Sequence, residues 1–301
     1  MISALKPYPG TRPRLVPKRL PSAKVKSMTI AIGMLCGGGA IIAADMQGYR
    51  GDGMAQRISK IESFHGKGMV FSIAYSSDDA DSARRLVREI GATVGSIEVS
   101  GWKTIETAVS DAMLLWREAF NPEPIPATSL IVAFYLTGHG LRLYSCELPN
   151  NVLYEQSGYV AVGLGSAVTS PLAATLFDPF PQSRPTQMVL RQVAYLMYRA
   201  KKDNYYCKGG TDAMFVSDDG KLLKRISALD FQAAERVSGQ LDQIFNIAAT
   251  ATLGGNGEFL EHNARSVGEA VLMYNEIRET VFHDTAGNVL GPQLPLPGDP
   301  L

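Results

Sequence analysis

The sequence predicts an α+β layered sandwich, and two observations carry the prediction. Strand-like and helix-like segments follow one another as strands, two helices, strands, two helices, strands. The helices therefore come in pairs kept apart from the strands and do not alternate with them as in βαβ units. Short turn signals separate the apolar runs and mark antiparallel hairpins: Cys36-Gly37-Gly38-Gly39, Thr137-Gly138-His139-Gly140 and Asp218-Asp219-Gly220.

Taken in order, TIAIGML from Thr29 and AIIAAD from Ala40 are apolar strand runs flanking the first turn. KIESF, opening at Lys60, and MVFSIAYS, rich in β-branched and aromatic residues, follow. From Asp79 the pattern turns helical: Ala83, Leu86, Val87 and Ile90 share one face, and aspartates stand at the N-terminus, where the helix dipole favours them. A second helix is predicted over about 104–120, closed by Asn121-Pro122. SLIVAFYL, LRLYSCEL and YVAVGLG are the next strands, and helices over about 170–177 and 186–202 come after them. AMFVS and KLLKRI form the last hairpin. Two further helical patterns, about 230–250 and 259–282, are joined by Gly254-Gly255-Asn256-Gly257.

Composition narrows the function classes. In 301 residues, 46% are hydrophobic and 19% charged, which excludes collagen-like, wholly disordered and disulfide-scaffold proteins. The chain is long enough for a sizeable core, and no apolar run reaches the roughly 18 residues of a membrane-spanning helix. Three cysteines (Cys36, Cys146, Cys207) without CxxC spacing fit neither a structural zinc site nor a disulfide framework, and suit a reducing cytoplasm. Four scattered histidines form no HxxxH or HExxH pattern, so no metal or other cofactor is expected.

The net charge of zero is uneven. Residues 1–27 carry seven Lys or Arg, five Pro and no acid, leaving 22 basic against 29 acidic residues in the remainder, a net −7. Such a stretch favours disorder over helix or core, and it lacks the apolar region of a secretory signal. The tail 284–301 is again Pro-rich. The organisation read from this is an extension over 1–27, a domain over 28–227, a helical extension over 228–283 and the tail.

Few residues can carry chemistry. Asp45 ends the second strand and Lys60 begins the third, so both can lie beside the start of the first strand at Thr29. If the chain begins at Thr29, its free α-amine, with an ordinary pKa of about 7.7–8.0, is a general base within reach of its own hydroxyl. A Lys60 ammonium would depress the pKa of both groups, and Asp45 would hold the lysine. The same residues also fit a surface ion pair beside an ordinary strand threonine.

The run from Thr29 through Gly37-Gly38-Gly39 to Ala43-Ala44-Asp45, with Lys60-Ile61 after a short loop, resembles the opening of proteasome β-type subunits and of the bacterial HslV peptidase. The resemblance continues through Ala80-Asp81 with Ala83 and Leu86, through SLIVA, AVGLGSA and Gly209-Gly210, and covers roughly residues 28–226. It implies a four-layer αββα sandwich of the N-terminal-nucleophile hydrolase type, an α+β class to which this chain adds a C-terminal helical extension. It also implies a threonine endopeptidase that hydrolyses peptide or unfolded-protein substrates inside a homo-oligomeric ring, fed by an ATP-dependent unfoldase in the cytoplasm.

Carried over residue by residue, the resemblance makes Thr29 the nucleophile, Asp45 the aspartate and Lys60 the lysine, with the oxyanion met by a backbone N–H near Ser77. The family usually has glycine at that wall, where this chain reads Tyr75-Ser76-Ser77-Asp78. Leu164 stands where active members carry a serine, and Ser166, two residues on, is the substitute candidate. Asp203 is the candidate for the aspartate that precedes the Gly-Gly step, with two extra residues intervening. Thr29 becomes a terminus either by cleavage of a propeptide after Met28 or because Met28 is the initiator and is removed; the acid-free, Pro-rich extension and the methionine itself favour the second. The C-terminal patterns, with Leu241, Ile244 and Phe245 and with Val271, Leu272, Tyr274 and Ile277 at amphipathic spacing, are expected to pack on a neighbouring subunit or cap the ring.

The other motifs read as structural. CGGGA has no following helix or P-loop lysine, Cys207 reads as a half-buried strand residue, and His139 sits on a hairpin tip. The aromatic residues do not cluster with basic ones, so neither a nucleic-acid nor a membrane partner is expected. A catalytically silent ring subunit and a small-molecule amide hydrolase on the same fold are the alternatives.

Overall fold

The computed structural model describes residues 29–49, 55–119, 124–148, 150–176, 183–204 and 207–254. The basic extension, Met28, the second C-terminal helical pattern and the Pro-rich tail lie outside the described residues. The first sheet runs β10-β1-β2-β11-β12, built from Tyr159–Gly163, Ile30–Cys36, Gly39–Asp45, Thr211–Ser217 and Leu223–Ile226. The second runs β5-β6-β7-β8-β9, from Ile61–Gly66, Met69–Ser77, Thr128–Leu136, Gly140–Glu147 and Tyr154–Gln156. Every pairing is antiparallel, as the hairpin signals predict. A two-stranded ribbon, β3 (Gln47–Tyr49) with β4 (Ala55–Arg57), follows β2 directly.

Strand periodicity divides the core in three. Ala31, Ile42 and Ala44 of the first sheet meet Ile61, Val70, Ala74 and Ile131 of the second, so the sheets pack on each other. Their alternating neighbours point outward. Phe71, Ile73, Tyr75, Val132 and Phe134 pack under α1 (Ala80–Ser96) and α2 (Trp102–Glu118), which contribute Leu86, Ile90, Ile105 and Val109. Ile30, Ile32, Ile41 and Ala213 pack under α3 (Ser166–Leu176) and α4 (Thr186–Asp203), which contribute Ala173, Val189, Val193 and Met197.

Helix α1 starts where the sequence predicts. Asp79 caps it, its Oδ1 accepting the N–H groups of Asp81 (3.0 Å) and Ser82 (3.1 Å). Helix α5 (Ala228–Gly254) opens on Phe231 and Ala234, both buried in the same core as α4. Lys201–Glu235 (2.7 Å), Arg199–Asp242 (3.2 Å) and Lys202–Asp242 (2.6 Å) fasten it to α4. The opening turns of α5 therefore pack into the chain's own core. The side chains of Leu241, Ile244 and Phe245 lie outside the described residues. Among the described residues no helix is long and apolar enough to cross a membrane.

Candidate active site

Thr29 sits immediately before β1 and is 2% exposed. In β1 the even residues Ile30, Ile32 and Met34 face the helices and Ala31 faces the second sheet, so Thr29 also turns toward the second sheet. There its Oγ1 lies 2.5 Å from Ser76 Oγ on β6. One residue on, the Ile30 N–H donates to Asp45 Oδ1 (3.1 Å). The same oxygen accepts from Lys60 Nζ at 3.0 Å, with the lysine 1% and the aspartate 0% exposed. The ends of β1 and β2 and the residue before β5 thus meet at one point.

Burial dominates the electrostatics of this pair. It raises the Asp45 pKa above the ordinary carboxylate value, against the opposing pull of Lys60 and of the Ile30 N–H. It lowers the Lys60 pKa below the ordinary lysine value, against the opposing pull of Asp45. Both shifts favour the neutral forms. Asp45 Oδ2 is buried and has no hydrogen-bond partner among the described residues.

Alternation along β6 fixes the roles of Ser76 and Ser77. The Tyr75 N–H donates to the Lys60 carbonyl (3.1 Å), and the Asp78 N–H donates to the Ala127 carbonyl on the opposite side (3.0 Å). The Ser77 N–H therefore points to the β5 side, past Lys60. Its hydroxyl points the other way, to Thr128 Oγ1 (2.7 Å) and the Asp79 carbonyl (3.1 Å).

The AVGLGSA step closes the site from the other side. Gly163 pairs with Ile30 at the end of β10 and has φ +88°; a Cβ there would overlap the Thr29 carbonyl oxygen and the Ser76 hydroxyl. At Gly165 a Cβ would stand 2.7 Å from Ile30 and 3.1 Å from Cys207 Sγ. Gly163→Ala is accordingly expected to cost about 2–4 kcal/mol, from a left-handed conformation plus overpacking. Thermal unfolding measures this, and a variant as stable as the parent would show that the chain relaxes away from Thr29.

No protein-family profile matches the chain. Over 143 residues it is 31% identical to the proteasome subunit beta of Methanococcus aeolicus, taking in 46% of this chain and 62% of that protein. The match thus spans less than two thirds of that relative's length. In three dimensions the chain resembles Anbu of Hyphomicrobium sp. strain MC1, solved as a Gly-1 mutant. The TM-score is 0.60 at 17% identity, covering 72% of this chain and 98% of that one. Anbu of Yersinia bercovieri, described as an ancestral beta-subunit, gives 0.60 at 16% identity over 72% and 97%. Anbu of Pseudomonas aeruginosa, solved as a helical assembly, gives 0.56 at 14% identity over 72% and 96%. The fold is proteasome-like.

Within this proteasome-like fold the side chains of the remaining sequence candidates, Ser166 and Asp203, hydrogen-bond to groups other than Thr29. Ser166 is the first residue of α3, not a continuation of β10, and its hydroxyl donates to the Gly163 carbonyl (2.6 Å). Leu164 is 44% exposed on the turn. Asp203 pairs with Arg199 one helical turn back (2.9 Å) at the end of α4. Cys207 lies in the bend before β11, not in a strand, and is fully buried, not half-buried; burial, with Asp45 adding to it, pushes its thiol up to about 12.

Sequence reasoning passed over two groups, one against Thr29 and one across from Asp45. Ser76 is one. The other is Thr211, directly across the ladder from Asp45, whose Oγ1 lies between Lys201 Nζ (2.6 Å) and Glu235 Oε1 (2.5 Å). The register of β11 on β2 and the docking of α4 and α5 assemble this second cluster.

Proposed function

We propose that the chain is a threonine-type N-terminal-nucleophile peptidase. Thr29 is the nucleophile, Lys60 and Asp45 tune the proton transfer, and the Ser77 N–H meets the oxyanion. The observation that carries the reading is the buried Asp45–Lys60 pair at the start of β1, one residue from Thr29. Burying two charges is costly, and two apolar side chains would fill the same space with less penalty. A pair kept in this place, with both pKa values moved toward neutrality, suits a proton-transfer site.

The chemistry runs in two steps. The Thr29 α-amine, freed of the residues before it, takes the proton from Oγ1 as that oxygen bonds to the substrate carbonyl carbon. The negative oxygen of the tetrahedral intermediate accepts the Ser77 N–H. The intermediate collapses, the C–N bond breaks, and the proton passes to the departing amine, leaving an ester on Thr29. Water then adds to the ester with the same amine as base, releases the acid and returns the proton to Thr29. Asp203, held by Arg199, and Ser166, turned to the Gly163 carbonyl, support the surrounding structure in this reading.

The layer order proposed is helices, sheet, sheet, helices, with α5 added over α4. Self-association into a closed or helical homo-oligomer is proposed on the likeness to the Anbu proteins. The test is to incubate the full chain with fluorogenic peptide amides and, separately, with a β-lactone that acylates nucleophilic hydroxyls. Fluorophore release and an acyl adduct mapped to Thr29 are expected. An adduct confined to other residues, or hydrolysis that persists without Thr29, would overturn the reading.

A further inference from the structure

We infer that Ser76 is a positioning residue for Thr29, its hydroxyl fixing the orientation of the nucleophilic oxygen and donating to it as it loses its proton. This rests on the peptidase reading above and adds to it the side chain that precedes Ser77 on β6.

Three observations carry it. The two hydroxyl oxygens are 2.5 Å apart, and both residues are buried, Thr29 at 2% and Ser76 at 6% exposure. Ser76 Oγ also lies 3.4 Å from the Thr29 carbonyl oxygen, so its two contacts are both with Thr29. Gly163 packs against both residues, so that a methyl group there would strike the Thr29 carbonyl and the Ser76 hydroxyl.

The proton count gives the role. Each hydroxyl has one proton to donate and lone pairs to accept with. At rest, Thr29 can donate to Ser76, which passes its own proton toward the Thr29 carbonyl. When the base removes the Thr29 proton, Oγ1 becomes an acceptor, and the Ser76 O–H is the donor beside it. A hydrogen bond that strengthens as charge develops on the oxygen lowers the barrier instead of tightening substrate binding. No new bond is made and no group is transferred to Ser76.

The test uses full-length Ser76→Ala and Ser76→Gly beside the parent, each assayed for peptide hydrolysis and for the rate of β-lactone acylation at Thr29. Both variants remove the hydroxyl without adding bulk. The expected result is a fall in kcat of about tenfold to a hundredfold, with KM nearly unchanged and the same slowing of Thr29 acylation. Unfolding temperatures close to the parent's would exclude a merely structural effect. If the wall instead matters through bulk, Ser76→Gly reacts as fast as the parent or faster, and the inference is overturned. Equal acylation rates in all three proteins overturn it too while leaving the peptidase reading intact. A parent that is never acylated at Thr29 overturns both.

Discussion

Thr29→Ala is expected to reduce peptide hydrolysis by at least about 10⁴-fold while leaving the fold intact. The residue precedes β1 and contributes a single buried hydroxyl, so its removal costs one hydrogen bond and leaves Ser76 short of a partner, on the order of 1–3 kcal/mol. The ladders of β1 with β2 and β10 do not involve its side chain. Thr29→Ser, which keeps the hydroxyl, is expected to retain most of the activity. Initial rates on a fluorogenic peptide, with unfolding curves for each protein, check both. Alanine activity within tenfold of the parent would move the chemistry to another residue.

The second large effect is expected at Asp45. Asp45→Asn preserves shape but leaves Lys60, 1% exposed, without its counter-charge. Breaking a buried pair in this way costs about 3 kcal/mol or more, which lowers Tm by roughly 6–12 °C in a domain of this size. Hydrolysis should fall with it, because the lysine loses the carboxylate that orients it.

The deficit has a predicted pH dependence. In the parent, the Asp45 pKa lies above its ordinary 3.8, so in the window just above 3.8 the native state holds more protons and stability falls as pH rises through the native value. Lys60 lies below its ordinary 10.5, so between its native value and 10.5 the unfolded state holds more protons and stability rises with pH. Asp45→Asn removes the first dependence and widens the second, since the carboxylate that supported the Lys60 charge is gone. The gap between parent and variant should therefore shrink as pH is raised from 7 toward 10. Urea unfolding at stepped pH measures it, and a gap that stays constant or grows would show that Lys60 is not the group left uncompensated.

The framework of the fold was legible because it rests on local signals. Glycine and aspartate turns marked the hairpins, and the 3.6-residue spacing of Ala83, Leu86, Val87 and Ile90 marked α1. Asp45 and Lys60 were legible for the same reason, as charged residues where apolar strands end or begin. The start of α3 was not. The expected start was near residue 170, yet the helix begins at Ser166 and carries Pro171 inside it, because Gly163 turns the chain out of β10 early. Strands β3, β4 and β9 have three residues each, too few for a period to register.

Ser76 and the Thr211–Lys201–Glu235 cluster depend on contacts between distant segments. The first joins residues 47 apart and the second residues up to 34 apart, and only strand register and helix docking bring them together. Asp203 had a usable local signal: Arg199 four residues earlier is a standard helical ion pair, and it accounts for that carboxylate.

The central claim is that Thr29 works as an N-terminal residue, and the intact mass of the purified chain, with its first residue identified, tests it most directly. A mass matching a chain that starts at Thr29 is the predicted result, placing a free amine beside the hydroxyl held by Ser76. A preparation in which every molecule keeps Met28 ahead of Thr29, with the amine locked in a peptide bond, would contradict it.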